Sequence, residues 1–255
     1  MKELATVVVP LSGAPLTERE MASLRRCREV LHAYPIVLVT PHGANYQAEV
    51  PWLSDLDQYT FEVPPGSTNS PWESHFLSDD LYERFAWSEF ILVHQLNSYV
   101  VSDELHYWCK QGYDYIQALP GLVPQSRSAQ VLEQELGLKT KVPLPQLAQA
   151  VAGTGLSLRR VERMRRAIRN NKRKIYELLS DRTLSGLDKD VLFWEGLSRR
   201  LWPPLRVPTP VVRQRFSVNV ASLGTSFGQQ VLSPNPFALT GLDGWSPEQF
   251  ASYLN

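Results

Sequence analysis

Short runs of consecutive apolar residues alternate along the chain with longer stretches in which apolar positions recur every three to four residues. Thr6 to Val9 is a continuous β-branched run ended by Pro10, the pattern of a strand buried on both faces of a mostly parallel sheet. In the segment APLTEREMASLRRCREVLHAYP, Thr17 stands as an N-cap and Glu20, three residues on, completes a capping box. Met21, Leu24, Val30 and Leu31 supply the buried stripe until Tyr34-Pro35 stops the helix. IVLVTPHG is a second buried strand. The opening therefore reads β-α-β, a unit with parallel strands and a right-handed crossover, and a doubly wound α/β sheet is its natural extension.

Further along, FEVPPGSTNSPWESHFLSDDLYERF predicts a short strand ending at Pro64-Pro65, a polar loop and a helix entered near Trp72. Trp87 to Val93 is another strand, Asp103 to Lys110 a short helix stopped by Gly112, and Tyr113 to Ile116 a short strand. Residues 120–145, rich in Pro, Gln and Ser, read as a mobile or accessory loop. GTGLSLRRVERMRRAIRNNKRKIYELLSD reads as a turn leading into a long basic helix. A further helix begins near Asp188, and the chain closes on a loop and a short amphipathic helix. Open α/β sheets bind ligands beyond the carboxyl ends of their strands. By that rule the segments Pro10 to Gly13, Pro41 to Asn45 and His94 to Ser98 face one common site.

With 255 residues and 43% hydrophobic content, the chain can bury one substantial core as a single domain, 1–255. Lys and Arg (26) balance Asp and Glu (26), so no overall field draws the protein to nucleic acid or to a membrane surface. Cys27 and Cys109 lie far apart, outside any zinc-ligand or disulfide-framework spacing, which fits a reducing cytoplasm. The N-terminal apolar run is shorter than a signal-peptide core. No uncharged apolar stretch approaches the roughly 18 to 20 residues needed to span a bilayer. The expectation is a cytoplasmic protein without a transmembrane segment.

The stretch YERFAWSEFILVHQLNSYVVSDELHYWCKQGYDYI, Tyr82 to Ile116, resembles the central signature of an uncharacterised family of bacterial and fungal glycosyltransferase-like domains. That signature runs Tyr-Glu-x-Phe, an apolar strand, Gln-Leu-Asp-Ala, Asp-Glu-Leu-x-x-Trp and Gly-Tyr-Asp-Tyr-Ile-Gly-Ala-Pro. The resemblance extends from the first strand to the last helix, strongest at 82–116. It implies a GT-A-like fold, a mostly parallel central sheet flanked by helices. About 1–116 would form the nucleotide-binding half and about 146–255 the acceptor side. It also implies transfer of a sugar from a nucleotide-sugar donor to a glycan or small-molecule acceptor. In such enzymes a strand-end Asp holds a divalent cation on the donor diphosphate, since a hard cation neutralises the leaving group and takes oxygen ligands.

This chain departs from the pattern where the cation would sit. Asn97 takes the place of that Asp, and its amide brings no charge. The family's Gly-Asn-Gly-Gly-Phe-Ser-Leu-Arg resembles AGTGLSLRR, which keeps Gly153, Gly155, Ser157, Leu158 and Arg159. Its Glu-Asp-Val-x-Phe resembles KDVLFW, which keeps Asp190 but has Lys189 for Glu. Its Pro-Phe-x-x-His-x-Trp resembles PFALTGL, with Thr240 for His. Two metal-ligand positions are thus replaced together, a pattern better explained by a metal-free site than by one accidental change.

The resemblance marks Asp190 as the carboxylate that takes the acceptor's proton; without it, an Asp stabilised at a helix N-terminus is the commoner reading. Pro10, Ser12, His42, Gln95, Asn97 and Ser98 are the expected donor-binding residues, the three at 95–98 also suiting plain capping of a strand end. Gly155, Ser157, Arg159 and Trp194 are expected on the acceptor and phosphate side, with Arg159 replacing the cation's charge and Trp194 stacking on a sugar. His94 reads as a packed side chain. The basic helix suits a solvated face, a phosphate, an anionic acceptor or, last, nucleic acid. No metal is assigned, and the competing class is a catalytically silent GT-A-like binding protein.

Overall fold

The computed structural model describes residues 2–44, 46, 50–63, 72–118, 155–181, 188–198, 205–220 and 235–242. Four strands, β1 (Glu3–Pro10), β2 (Ile36–Pro41), β3 (Asp57–Phe61) and β4 (Ser88–His94), pair in parallel around β1. Two shorter ones, β6 (Tyr115–Gln117) and β7 (Leu156–Arg160), complete a six-stranded sheet in the order β3-β2-β1-β4-β7-β6, with β7 antiparallel to both neighbours. A small second sheet joins β5 (Ser98–Val100), β9 (Ala238–Thr240) and β8 (Ser217–Asn219) in that order.

The β-branched run of β1 is buried on both faces because helices cover both. Val8, with Val39, Ile91 and Val93, packs against α2 (Glu73–Phe76), α3 (Asp79–Arg84), α5 (Val161–Asn170), α6 (Lys172–Ser180) and α7 (Lys189–Ser198). Val7 and Val9, one residue out of phase, pack with Leu24 and Cys27 of α1 (Glu18–Val30), Trp108 of α4 (Leu105–Lys110) and Phe216 of α8 (Pro210–Phe216). The capping box that opens α1 is present: Thr17 Oγ1 accepts from the Glu20 N–H at 3.3 Å, and Glu20 Oε2 accepts from the Thr17 N–H at 2.8 Å. Both cysteines are free and buried.

Three elements differ from the sequence expectation. The supposed long basic helix begins as strand β7: residues 156–160 pair with β4 and β6, and the helical part breaks at Asn171 into α5 and α6. Much of its charge is compensated in place. Arg165 pairs with Asp79 and Glu83, Arg169 with Asp79, Arg173 with Glu177, and Arg160 with Glu89 and Asp114. The strand expected to run to Pro64-Pro65 ends at Phe61, and the one expected at Tyr113 starts at Tyr115. The accessory loop at 120–145, the motif residue Gly153 and the closing amphipathic helix lie outside the described residues. Among the described residues no helix is long and apolar enough to cross a membrane.

Candidate active site

The ladder that inserts β7 decides which side chains meet. Arg159 stands opposite Ile91 on one side and Tyr115 on the other, and Ser157 opposite Val93 and Gln117. Strand alternation sends all of these to one face, the face that α7 covers. Asp188 caps the start of α7, its Oδ1 accepting from the Val191 N–H at 3.1 Å. Asp190 then lies in the first turn against the sheet.

Asp190 and Arg159 meet there in a two-pronged ion pair, Nη1 donating to Oδ1 at 2.9 Å and Nη2 to Oδ2 at 2.5 Å. Arg159 Nε donates to Ser157 Oγ and its Nη1 also to Tyr82 Oη, each at 2.9 Å. Trp194 Nε1 donates to Asp190 Oδ1 at 2.7 Å. The guanidinium lies 5.1 Å from the centre of the Phe76 ring. Arg159 is 2% exposed and Asp190 4%, so each charge is compensated by the other rather than by water. Burial opposes the Arg159 charge, but Asp190 outweighs it and the pKa lies well above the ordinary value. Burial and the neighbouring Asp190 push the half-buried Asp188 up to about 6.

Beside the ion pair lies a cavity of about 10 Å³, lined by Gln95, Gln117, Gly155, Ser157, Arg159 and Asp190 with their apolar neighbours. That is room for about one water-sized group. Gln95, expected from its strand-end position, and Asp190, expected from its motif, therefore share one wall, at the carboxyl end of β4. Gly155 closes the floor with φ +42°; a Cβ there would lie 2.5 Å from Asn97 Oδ1 and 3.3 Å from Thr240 Cβ and Cγ2. Glycine is required on both counts.

The same contact brings together the two positions where the resemblance implied metal ligands. Asn97 Oδ1 and Thr240 Oγ1 are buried oxygens without a hydrogen-bond partner among the described residues. Both are neutral, and no group of three or more His, Cys, Asp or Glu among the described residues could hold a metal ion. This donor set does not suit a divalent cation, which favours carboxylate oxygens.

Several expected roles change. Arg159 lies in β7, not at a helix start, and its Nε, Nη1 and Nη2 are all committed to protein partners, so it does not present a free cation to a diphosphate. Trp194 is fully buried, its indole N–H on Asp190, and has no face for a sugar. Ser98, also fully buried, directs its hydroxyl to the carbonyls of Gln95 and Gly155 and holds the turn after β4. Pro10 is buried at the end of β1, whereas Ser12 and His42 are exposed just past the ends of β1 and β2. His94 is the packed side chain expected. Lys189 is buried too, its Nζ donating to the carbonyls of Leu179 at 2.9 Å and Asp181 at 2.8 Å, a tie from α7 to the end of α6.

Sequence reasoning gave no site role to Tyr82, Gln117, Asp188 or the part-buried Glu195–Arg213 pair at 2.5 Å, whose arginine also donates to the Gln117 carbonyl. Of these, Asp188 had a local signal as the helix start; the others acquire roles only through distant strands.

A mostly parallel sheet with an antiparallel β7, helices on both faces and a polar cavity past β4 define the class: the fold is the GT-A fold of glycosyltransferases. Three solved structures illustrate the likeness. Galactosyltransferase LgtC in complex with donor and acceptor sugar analogues has a TM-score of 0.60 at 13% identity, over 98% of this chain and 95% of that one. Mouse xyloside xylosyltransferase 1 in its apo form has 0.55 at 14%, over 94% and 97%. Glycosyltransferase GlyE of Streptococcus pneumoniae, apo form, has 0.55 at 10%, over 100% and 60%. The family model described as Protein of unknown function (DUF5672) matches residues 60–233, and the chain belongs to that family. No curated protein matches it in sequence.

Proposed function

We propose that this protein is a glycosyltransferase that moves a sugar from a nucleotide-sugar donor to a glycan or small-molecule acceptor, without a divalent cation at Asn97. The observation that supports this most directly is the polar cavity at the carboxyl end of β4, where Gln95, Ser157, Arg159 and Asp190 meet in a GT-A sheet. Ser12 and His42, past the ends of β1 and β2, border the nucleotide. Gln95 and Asn97 offer amide hydrogen bonds to ribose or diphosphate. In the transfer the acceptor oxygen bonds to the anomeric carbon, the bond from that carbon to the diphosphate oxygen breaks, and the hydroxyl proton passes to a carboxylate. Asp190 accepts three hydrogen bonds from Arg159 and Trp194, which leaves one of a carboxylate's roughly four acceptor positions for that hydroxyl. Arg159 and Trp194 hold it in place.

The same ion pair favours a second reading, a catalytically silent binder, because both oxygens of Asp190 are already held by Arg159 and Trp194. One experiment separates the two. The protein is incubated with a panel of nucleotide sugars and simple glycan acceptors, with and without EDTA, and release of nucleoside diphosphate is followed beside the thermal midpoint. Transfer that survives EDTA supports the proposal. Transfer abolished by EDTA removes the metal-free part, and donor-specific stabilisation without turnover selects the silent binder.

A further inference from the structure

We propose that Gln117 is the residue through which this site reads a sugar hydroxyl, an assignment that rests on the transferase reading above. Gln117 is 1% exposed and forms part of the cavity wall with Gln95, Ser157, Arg159 and Asp190. Its backbone is held in the edge strand β6, opposite Ser157 of β7, with its carbonyl accepting from Arg213 Nε at 2.9 Å. Its side-chain Oε1 accepts from the Tyr115 hydroxyl. The amide is thereby oriented, and its Nε2 is buried without a hydrogen-bond partner among the described residues. A buried N–H donor left unpaired is destabilising, a cost that a bound oxygen removes.

The wall chooses the kind of oxygen. Arg159 and Asp190 cancel each other's charge, and Gln95, Gln117 and Ser157 carry none. The cavity therefore has no net positive charge with which to hold a phosphate. Its size admits one hydroxyl-sized group in place of one water. A neutral polyhydroxylated ring that projects one hydroxyl inward satisfies Nε2 as acceptor and meets neighbouring oxygens as donor. Gln117 thus contributes to recognition of the sugar, and not of the nucleotide.

The test uses Gln117→Met, which keeps the length of the side chain and removes its hydrogen bonding, and Gln117→Glu, which keeps the shape and replaces the donor by an acceptor. Calorimetry measures the 255-residue chain with UDP-glucose, UDP-galactose and GDP-mannose, each against UDP or GDP alone. In the wild type the best nucleotide sugar should bind more tightly than its diphosphate. Each variant should lower that ratio about tenfold, with affinity for the diphosphate within about twofold. A ratio that does not change in either variant overturns the assignment while leaving the transferase reading intact, and so does equal weakening of sugar nucleotide and diphosphate. A wild type that binds no nucleotide sugar overturns the transferase reading and this assignment with it.

Discussion

Arg159 and Asp190, 31 residues apart in sequence, face each other with Nη2 at 2.5 Å from Oδ2 and so join β7 to α7 underneath the candidate site. The pair explains why a strand in mid-sheet tolerates an arginine on its buried face. It also makes any substitution of Asp190 a test of stability as well as of chemistry.

Replacing Asp190 by Ala should lower the unfolding free energy by about 3 to 5 kcal/mol, because it strands a buried guanidinium. The double variant Arg159→Met, Asp190→Leu should recover a large part of that loss, since neither charge then remains to be desolvated. Urea unfolding of Arg159→Met, of Asp190→Leu and of the double closes the cycle. Strictly additive losses would show that the two side chains do not act as a pair.

Gly155 carries φ +42° and stands against Asn97 Oδ1. Gly155→Ala should cost about 1 to 3 kcal/mol from backbone strain and contact together. Adding Asn97→Ala should return the share owed to the Oδ1 contact and leave that of the backbone and of the looser Thr240 contact. Thermal midpoints of the three proteins check this, and a double variant no better than the single would place the whole effect in the backbone and the Thr240 contact.

Asp188 has its pKa raised from 3.8 to about 6 by burial and by Asp190. A carboxyl group raised in the folded state favours folding when protonated, so its contribution is fully present below about pH 4 and is lost as pH rises through about 6. Asp188→Asn keeps a good helix cap and cannot ionise. Its stability relative to wild type should be level near pH 4 and higher by about 1 to 3 kcal/mol near pH 7.5. Parallel curves across that range would remove the charge coupling.

His94 is fully buried with neither ring nitrogen bonded to a described residue, and burial lowers its pKa from 6.5 to about 4. A histidine lowered in the folded state stabilises above the unfolded pKa and loses that stabilisation as pH falls. The window runs from 6.5 down to about 4. His75, stacked on Phe61 with ring centroids 4.6 Å apart, follows the same sign with a pKa of about 4. His94→Leu should flatten the acid limb by up to about 3 kcal/mol. An acid limb identical to that of the wild type would mean that the ring takes its proton without cost.

The β-α-β opening, the capping box of α1 and the common edge past β1, β2 and β4 were legible in the sequence because each rests on neighbours within a few residues: a β-branched run, a Thr and a Glu three apart, a proline at a strand end. Gln95 could be placed at that edge by its strand end, whereas Asp190 was singled out only by the resemblance of KDVLFW to a family motif. Residues 156–160 could not be placed. Leu156, Leu158, Val161 and Met164 suit a helical stripe as well as a strand leading into a helix. The choice fell to the hydrogen bonds that β4 and β6 provide from elsewhere in the chain. Nor could Asp190 be given its partner, since Arg159 is one of several arginines in that basic stretch and nothing local prefers it. Local pattern determines which residues can be strand, helix or cap. Which charges are compensated, which amide faces the cavity and which tryptophan is core depend on contacts between distant segments, where burial makes an unpaired group costly and the packed sheet selects the partner.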